Sequence, residues 1–253
     1  MATRRAPQRA APAAARAVPL PEKLAPQLAT LVAGPPADPE QWTFETKFDG
    51  YRIMARVESG AARLFTRNGH DWTSKMPELA RELGALPVQA AWLDGEVVIL
   101  DHNGLPDFQA LQNAFDGRTS KIMVFFAFDM PFCNGSDLRG VANEQRREAL
   151  SRVLQSAGGG RHRFSEGLDA RPQELLATAC KLGFEGLIGK RKSGLYVSRR
   201  SDDWIKLKCT RRQEFVIGGF SDPQGSRKGL GSLILGARER RLPQLRLQRG
   251  LRV

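Results

Sequence analysis

The sequence predicts a mixed α+β protein, with many strands, helices on the outside and a small β segment at its end. Three observations carry that reading. Apolar and polar residues alternate in several separate stretches, among them residues 53–57 and 204–208. Helical spacing is confined to short runs, near residues 76–83, 108–111, 150–154 and 175–180. One nearly continuous apolar run, residues 121–129, fits a strand covered on both faces. At 253 residues the chain can bury a substantial core, as one large domain or two unequal ones.

Residues 1–20 hold eight Ala, three Pro and four Arg with no acidic residue. Their prolines break any long helix and no apolar run forms a secretory leader, so a disordered basic tail is expected. Pro35-Pro36-Ala37-Asp38-Pro39 reads as a stiff connector into the folded region. Ile53, Ala55 and Val57 then alternate with Arg52, Met54, Arg56 and Glu58, a half-buried strand whose partner spans residues 61–66 across a Ser59-Gly60 turn. Arg67-Asn68-Gly69 makes another turn. Met76, Leu79, Ala80 and Leu83 mark a short helix that Gly84 ends. Residues 92–100 return to strand, and within them Asp94-Gly95-Glu96 puts two carboxylates on one face.

Phe108 and Leu111 indicate a second short helix. Asn143 is placed to cap a third, carrying Leu150, Val153 and Leu154, and residues 156–160 form a loop. Leu175, Leu176, Ala179 and Cys180 share one face of a fourth, which Gly183 stops. Residues 184–191 are strand-like, with Glu185 and Lys190 near the ends. The alternation at 204–208 points Lys206 and Lys208 the same way. Beyond the basic joint Thr210-Arg211-Arg212, strand signals appear at 214–221 and 233–237. After Gly236 little alternation and no turn chemistry remain.

The net charge of +12 points to a polyanionic partner. Residues 198–253 hold fourteen Lys and Arg against five Asp and Glu, so three quarters of the excess sits there. No run approaches the roughly 18 apolar residues of a membrane span. Cys133, Cys180 and Cys209 are odd in number and far apart, and read as buried or free thiols of a reducing compartment rather than a zinc site. His70, His102 and His162 are scattered and expected at the surface, which argues against a histidine triad or histidine-bound metal.

Taken singly, the charged motifs have ordinary readings. Asp49-Gly50 is a hairpin signal, Lys206 and Lys208 fit a guarded strand edge, and Glu96 and Glu185 fit surface carboxylates. Their order is more informative: Lys47-x-Asp49-Gly50-x-Arg52, Arg67-Asn68-Gly69, Asp94-Gly95-Glu96, Phe128-Asp129, Glu185-Gly186 and Lys206-x-Lys208. This series resembles that of the covalent nucleotidyltransferases, the superfamily of ATP-dependent DNA ligases, RNA ligases and mRNA capping enzymes. Phe44-Glu45-Thr46-Lys47-Phe48-Asp49-Gly50-Tyr51-Arg52, Leu93-Asp94-Gly95-Glu96-Val97-Val98 and Glu214-Phe215-Val216-Ile217-Gly218-Gly219-Phe220 are similar to the ligase domain of bacterial ligase D. The resemblance runs from about residue 21 to 236.

The resemblance implies an ATP-grasp-like nucleotidyltransferase (adenylation) domain of antiparallel sheets flanked by helices over 21–209. A partial OB-fold is implied over 210–253, shorter than the five-stranded barrel of the family. It implies that Lys47 attacks the α-phosphate of ATP and carries AMP. Glu45 and Thr46 would meet the adenine edge and Phe128 its face. Arg52 and Arg67 would hold ribose or phosphates, Lys206 and Lys208 would neutralise the α-phosphate, and Glu96 and Glu185, with Asp49 nearby, would hold Mg²⁺ or Mn²⁺. A free lysine has a pKa of about 10.4, so Arg52, Lys206, Lys208 and a metal are expected to favour the neutral amine. AMP then passes to a DNA 5′-phosphate and a 3′-hydroxyl seals the break. The implied setting is a monomer in the bacterial cytoplasm, at the nucleoid, acting on nicked or broken duplex DNA with end-joining proteins and no membrane. An RNA ligase or capping activity, or a DNA-binding remnant, is the alternative.

Overall fold

Period-two strands assemble into three sheets, and the first two carry or flank the charged motifs from Lys47 to Lys208. The structure, a computed structural model, describes residues 16–115, 122–209, 215–221, 232–237 and 246–251. Two units are present, one running to Cys209 and one from Thr210.

The larger sheet of the first unit has seven strands. In chain order these are β1 (Arg16–Ala17), β4 (Tyr51–Glu58), β5 (Ala61–Thr66), β6 (Ala90–Ile99), β7 (Met123–Cys133), β8 (Ser136–Asp137) and β9 (His162–Phe164). Their spatial order is β1-β8-β7-β6-β4-β5, with β9 added to β7 in parallel and the other pairings antiparallel. The smaller sheet has the order β2 (Leu28–Leu31), β11 (Arg200–Lys208), β10 (Gly186–Arg191), β3 (Trp42–Thr46). Only β2 and β11 run parallel within it.

Helices α1 (Pro77–Gly84), α2 (Phe108–Phe115) and α3 (Asn143–Ser156) cover one face of the large sheet. Leu79, Leu83, Leu111 and Leu150 pack there on Ile53, Leu93, Val97 and Phe125. Helix α4 (Pro172–Leu182) covers the small sheet, where Ala179, Leu175 and Leu176 meet Phe44, Leu187, Ile205 and Leu207. Gly183 closes α4 at φ 96°, a left-handed cap that glycine adopts without strain. The second unit contains one antiparallel sheet, β12 (Phe215–Ser221), β13 (Ser232–Ala237) and β14 (Arg246–Leu251).

Several expectations are corrected. Asp49-Gly50 is not a hairpin turn, because β3 and β4 belong to different sheets and the segment crosses between them. Gly50 is needed there for closeness: a Cβ would run into the Val97 carbonyl oxygen. Arg16 and Ala17 of the expected tail pair with β8, and Val18 and Leu20 pack on Trp92 and Phe132. Residues 1–15 and the joint at 210–212 lie outside the described residues. Pro35–Pro39 does not lead into the fold, since β2 precedes it and pairs with β11.

Asn143 is the first residue of α3 rather than its cap, and its side-chain amide donates to buried Asp129 at 3.1 Å. His162 is buried at 8% exposure in β9, where an apolar setting pulls its pKa below the usual value. Cys180 and Cys209 form a disulfide, leaving Cys133 as the free thiol. A separation of 29 residues hides this, because only the packing of α4 on β10 and β11 brings its last turn beside the end of β11. Finally, Arg246–Leu251 forms a strand although its residues do not alternate. Backbone pairing with β13, not amphipathic patterning, defines it.

Candidate active site

The site lies between the small sheet and the face of the large one opposite helices α1 to α3. A cavity of about 210 Å³ is lined from β3 by Glu45 and Thr46, from the crossing segment by Lys47 and Phe48, and from β4 and β6 by Arg52 and Glu96. Phe128 of β7, Lys190 of β10, and Arg200, Trp204 and Lys206 of β11 complete most of its wall, with Arg67 at the end of the β4–β5 hairpin. The alternation that selected Lys206 thus points it inward, while Ile205 and Leu207 fill the core behind.

Lys47 follows β3 and is pinned by its backbone N–H to the Gly186 carbonyl at 3.0 Å. Its amine contacts Glu185 Oε2, and Glu185 Oε1 receives Lys208 Nζ at 3.0 Å. Glu185 therefore bridges two lysines, and despite partial burial these cations hold its pKa below the ordinary carboxylate value. Gly186, beside it, has φ 147°, and a side chain there would strike the Leu207 carbonyl. Asp49 is shifted upward by burial and then by the nearby Glu185 charge. Arg52, Lys206 and Lys208 were expected to surround the Lys47 amine; the group touching it is instead the Glu185 carboxylate.

Arg52 grips Asp94 with two nitrogens at 2.5 and 2.7 Å, and its guanidinium lies 4.5 Å over the Phe128 ring. Tyr196 donates its hydroxyl to the same Asp94 at 2.7 Å. Glu96 pairs with Arg52 across β4 and β6, and burial pushes its carboxyl up to about 7 against the pull of Arg52 and Lys47. Lys206 is shifted downward, by burial first and then by Arg200, Lys208, Lys47 and Arg67.

Glu45 sits deeper, at 2% exposure. It accepts from Arg147 at 2.6 Å, Lys190 at 2.8 Å and the Ser165 hydroxyl at 2.8 Å. Lys190 Nζ also donates to the Phe128 carbonyl at 3.0 Å and lies 4.3 Å from the Phe128 and Trp204 ring centres. Burial brings its pKa down to about 8, although Glu45 pulls the other way.

Of the residues singled out in the sequence, Glu45, Thr46, Lys47, Arg52, Arg67, Glu96, Phe128 and Lys206 line one cavity. Glu185, Lys208 and Asp49 do not line it but connect to it through Lys47. Sequence reasoning missed the parts played by Asp94, Arg147, Ser165, Tyr196 and Lys190. Only Lys190 carried a usable signal, being on the same strand face as Ile188 opposite Glu45. No group of three or more His, Cys, Asp or Glu side chains near enough to cage a metal occurs among the described residues. Glu185 contacts the Lys47 amine and Glu96 is within electrostatic reach of it; Mg²⁺ is typically held by only one or two protein carboxylates and keeps several waters.

An aromatic-walled cavity ringed by lysine and arginine defines the class: a site shaped for a flat base carrying phosphates. The model of the ATP-dependent DNA ligase domain matches residues 26–208, and the chain belongs to that family. It is 53% identical over 218 residues, 86% of its length, to the multifunctional non-homologous end joining protein LigD of Pseudomonas aeruginosa, covering 26% of that protein. It is 38% identical over 219 residues, 85% of its length, to the corresponding LigD of Mycobacterium tuberculosis, covering 28% of it. The chain thus spans about a quarter of these curated relatives. Among solved structures it resembles a mycobacterial DNA ligase D complexed with ATP and MES, at 37% identity and TM-score 0.65, over 84% of this chain and 67% of that one. The ligase domain of M. tuberculosis LigD matches at 35% identity and TM-score 0.64, over 88% and 70%.

Proposed function

We propose that this chain is the adenylylating and nick-sealing core of an ATP-dependent DNA ligase acting in end joining in the bacterial cytoplasm. Residues 21–209 serve as the adenylation domain and 210–253 as part of an OB-fold. One observation supports this above others: the Lys47 amine borders the cavity in contact with Glu185, opposite Arg52 and Lys206.

Lys47 Nζ, once neutral, attacks the α-phosphorus of ATP. A nitrogen–phosphorus bond forms, the bond to the β-phosphate oxygen breaks, and pyrophosphate leaves. Glu185 Oε2, already in contact with Nζ, is placed to take the proton that the amine sheds. Lys206, Lys208 and Arg67 offset the negative charge that grows on the phosphates. Phe128 walls the base, Thr46 borders it, and Glu45, held by Arg147, Lys190 and Ser165, presents an acceptor to the adenine amino group. Arg52, fixed by Asp94, holds ribose or phosphate. A divalent cation at Glu96 and Glu185, close to Asp49, would add positive charge beside the α-phosphate. AMP then passes to a DNA 5′-phosphate and is displaced by the 3′-hydroxyl.

Incubation with α-labelled ATP and Mg²⁺, then denaturing electrophoresis, tests this. Label should appear on the chain, vanish in Lys47→Ala, and move to a 5′-phosphorylated nick in DNA. Labelling from GTP, or transfer to nicked RNA in preference to DNA, would refute it.

A further inference from the structure

A second cleft, of about 620 Å³, lies in the first unit apart from the Lys47 cavity. Three arginines line it, Arg16, Arg139 and Arg199, against one acidic residue, Asp137. Arg139 is held in place: its guanidinium meets Asp137 at 3.0 and 2.8 Å and lies 4.8 Å over the Phe132 ring. Arg199 makes no ion pair among the described residues, and Arg16 attracts Asp137 only at longer range. Both are exposed.

The walls are tied by backbone. The Tyr196 N–H donates to the Arg139 carbonyl at 3.0 Å, the Arg199 N–H to the Val197 carbonyl at 2.8 Å, and β1 is paired to β8. The cleft offers no exposed ring for stacking, since its one aromatic residue, Tyr196, is 3% exposed. Guanidinium groups without a stacking face suit phosphates rather than bases, and so bind a nucleic acid without reading its sequence.

Its position gives it an occupant. Arg199 lines this cleft, while the next residue, Arg200, lines the Lys47 cavity. The Arg199 carbonyl accepts from Leu28, which also lines that cavity. Tyr196 forms part of the cleft, and its hydroxyl holds the Asp94 that fixes Arg52. A strand whose end lies at Lys47 would therefore find its neighbouring phosphates beside these arginines. We propose that the cleft binds the sugar-phosphate backbone of DNA, seating the strand presented to Lys47. This rests on the ligase reading above.

The test uses the full chain and a 5′-phosphorylated nicked duplex, with affinity followed by fluorescence anisotropy as salt rises. Arg16→Gln, Arg199→Gln and the double variant are compared with Arg152→Gln, which removes an exposed charge on α3 outside the cleft. Each cleft substitution should make the plot of log affinity against log salt shallower by about one, and Arg152→Gln should not. Arg199→Lys should keep the slope. An unchanged slope in the double variant, or an equal loss in Arg152→Gln, overturns the proposal. Self-adenylylation is measured on the same samples and should stay at the unsubstituted level. If the unsubstituted chain takes no label yet the slopes behave as expected, the ligase reading fails and the cleft stands. A cleft variant that loses labelling has lost its fold, and Arg199→Lys then decides.

Discussion

Two glutamates at this site do the same thing in different surroundings. Glu45 and Glu185 each bridge two cations, Arg147 and Lys190 in one case and Lys47 and Lys208 in the other. Glu45 is 2% exposed, and the side chain of Glu185 is 28% exposed. A buried carboxylate between buried cations is locked, because removing it strands their charge in a poor solvent. A carboxylate at the edge of water loses little when its partners move, so it can exchange a lysine for a proton or a metal. The first arrangement holds a shape and the second is free to react.

The largest expected effect breaks the pair apart. Glu185→Ala should abolish self-adenylylation while shifting unfolding free energy by no more than about 1 kcal/mol, as for exposed ion pairs. Unfolding in urea and labelling from ATP on the same sample check this, and a large stability loss would place Glu185 with Glu45. Glu45→Ala should cost about 3–5 kcal/mol by leaving Arg147 and Lys190 uncompensated. A loss under about 1 kcal/mol by urea titration would remove the contrast.

Next in size is the covalent tether beside Glu185. Cys209 donates its N–H to the Glu185 carbonyl at 2.9 Å and is bonded to Cys180 across 29 residues. Cys180→Ser, or reduction, should lower stability by roughly 3.5 kcal/mol in the chain-entropy account. Equal melting temperatures with and without reductant would show that the bond does not form in solution.

The smallest effect concerns pH, and the signs oppose. The folded pKa of Glu185 is lowered, so its contribution is full above the unfolded value near 4.5 and is lost as pH falls through the folded one. Glu96 is raised to about 7, so the folded state binds the extra proton and stability declines as pH climbs from about 4.5 to 7. Thermal melting across pH should show Glu96→Gln removing that decline and Glu185→Gln reducing the loss on the acid side. A decline that persists in Glu96→Gln assigns it to another group.

Much of the cavity lining was legible in sequence order. Arg52, Glu96, Phe128 and Lys206 fall on four strands, β4, β6, β7 and β11, and Lys47 directly follows a fifth, β3; all five residues line one cavity. Its support was not legible. Arg146 and Arg147 stand in a helix whose sequence looks water-facing, yet both are buried, because Asp129 and Glu45 reach them from strands 17 and 102 residues away. Long-range pairing of this kind leaves no periodic trace in either segment. The same holds for Asp49-Gly50, whose local chemistry signals a hairpin and carries no trace of the fact that the segment leads from one sheet to another.

That bend sets a length. Only four residues, Lys47 to Gly50, separate the end of β3 from the start of β4, and both ends are anchored in different sheets. Such a span works as a ruler. One inserted residue supplies up to about 3.5 Å of slack, several times the displacement of roughly 1 Å that costs an enzyme about a hundredfold in rate. The reach of Lys47, the proposed nucleophile, is written in a residue count, so this chain should tolerate changes of side chain at Phe48 far better than any change in the number of residues around it.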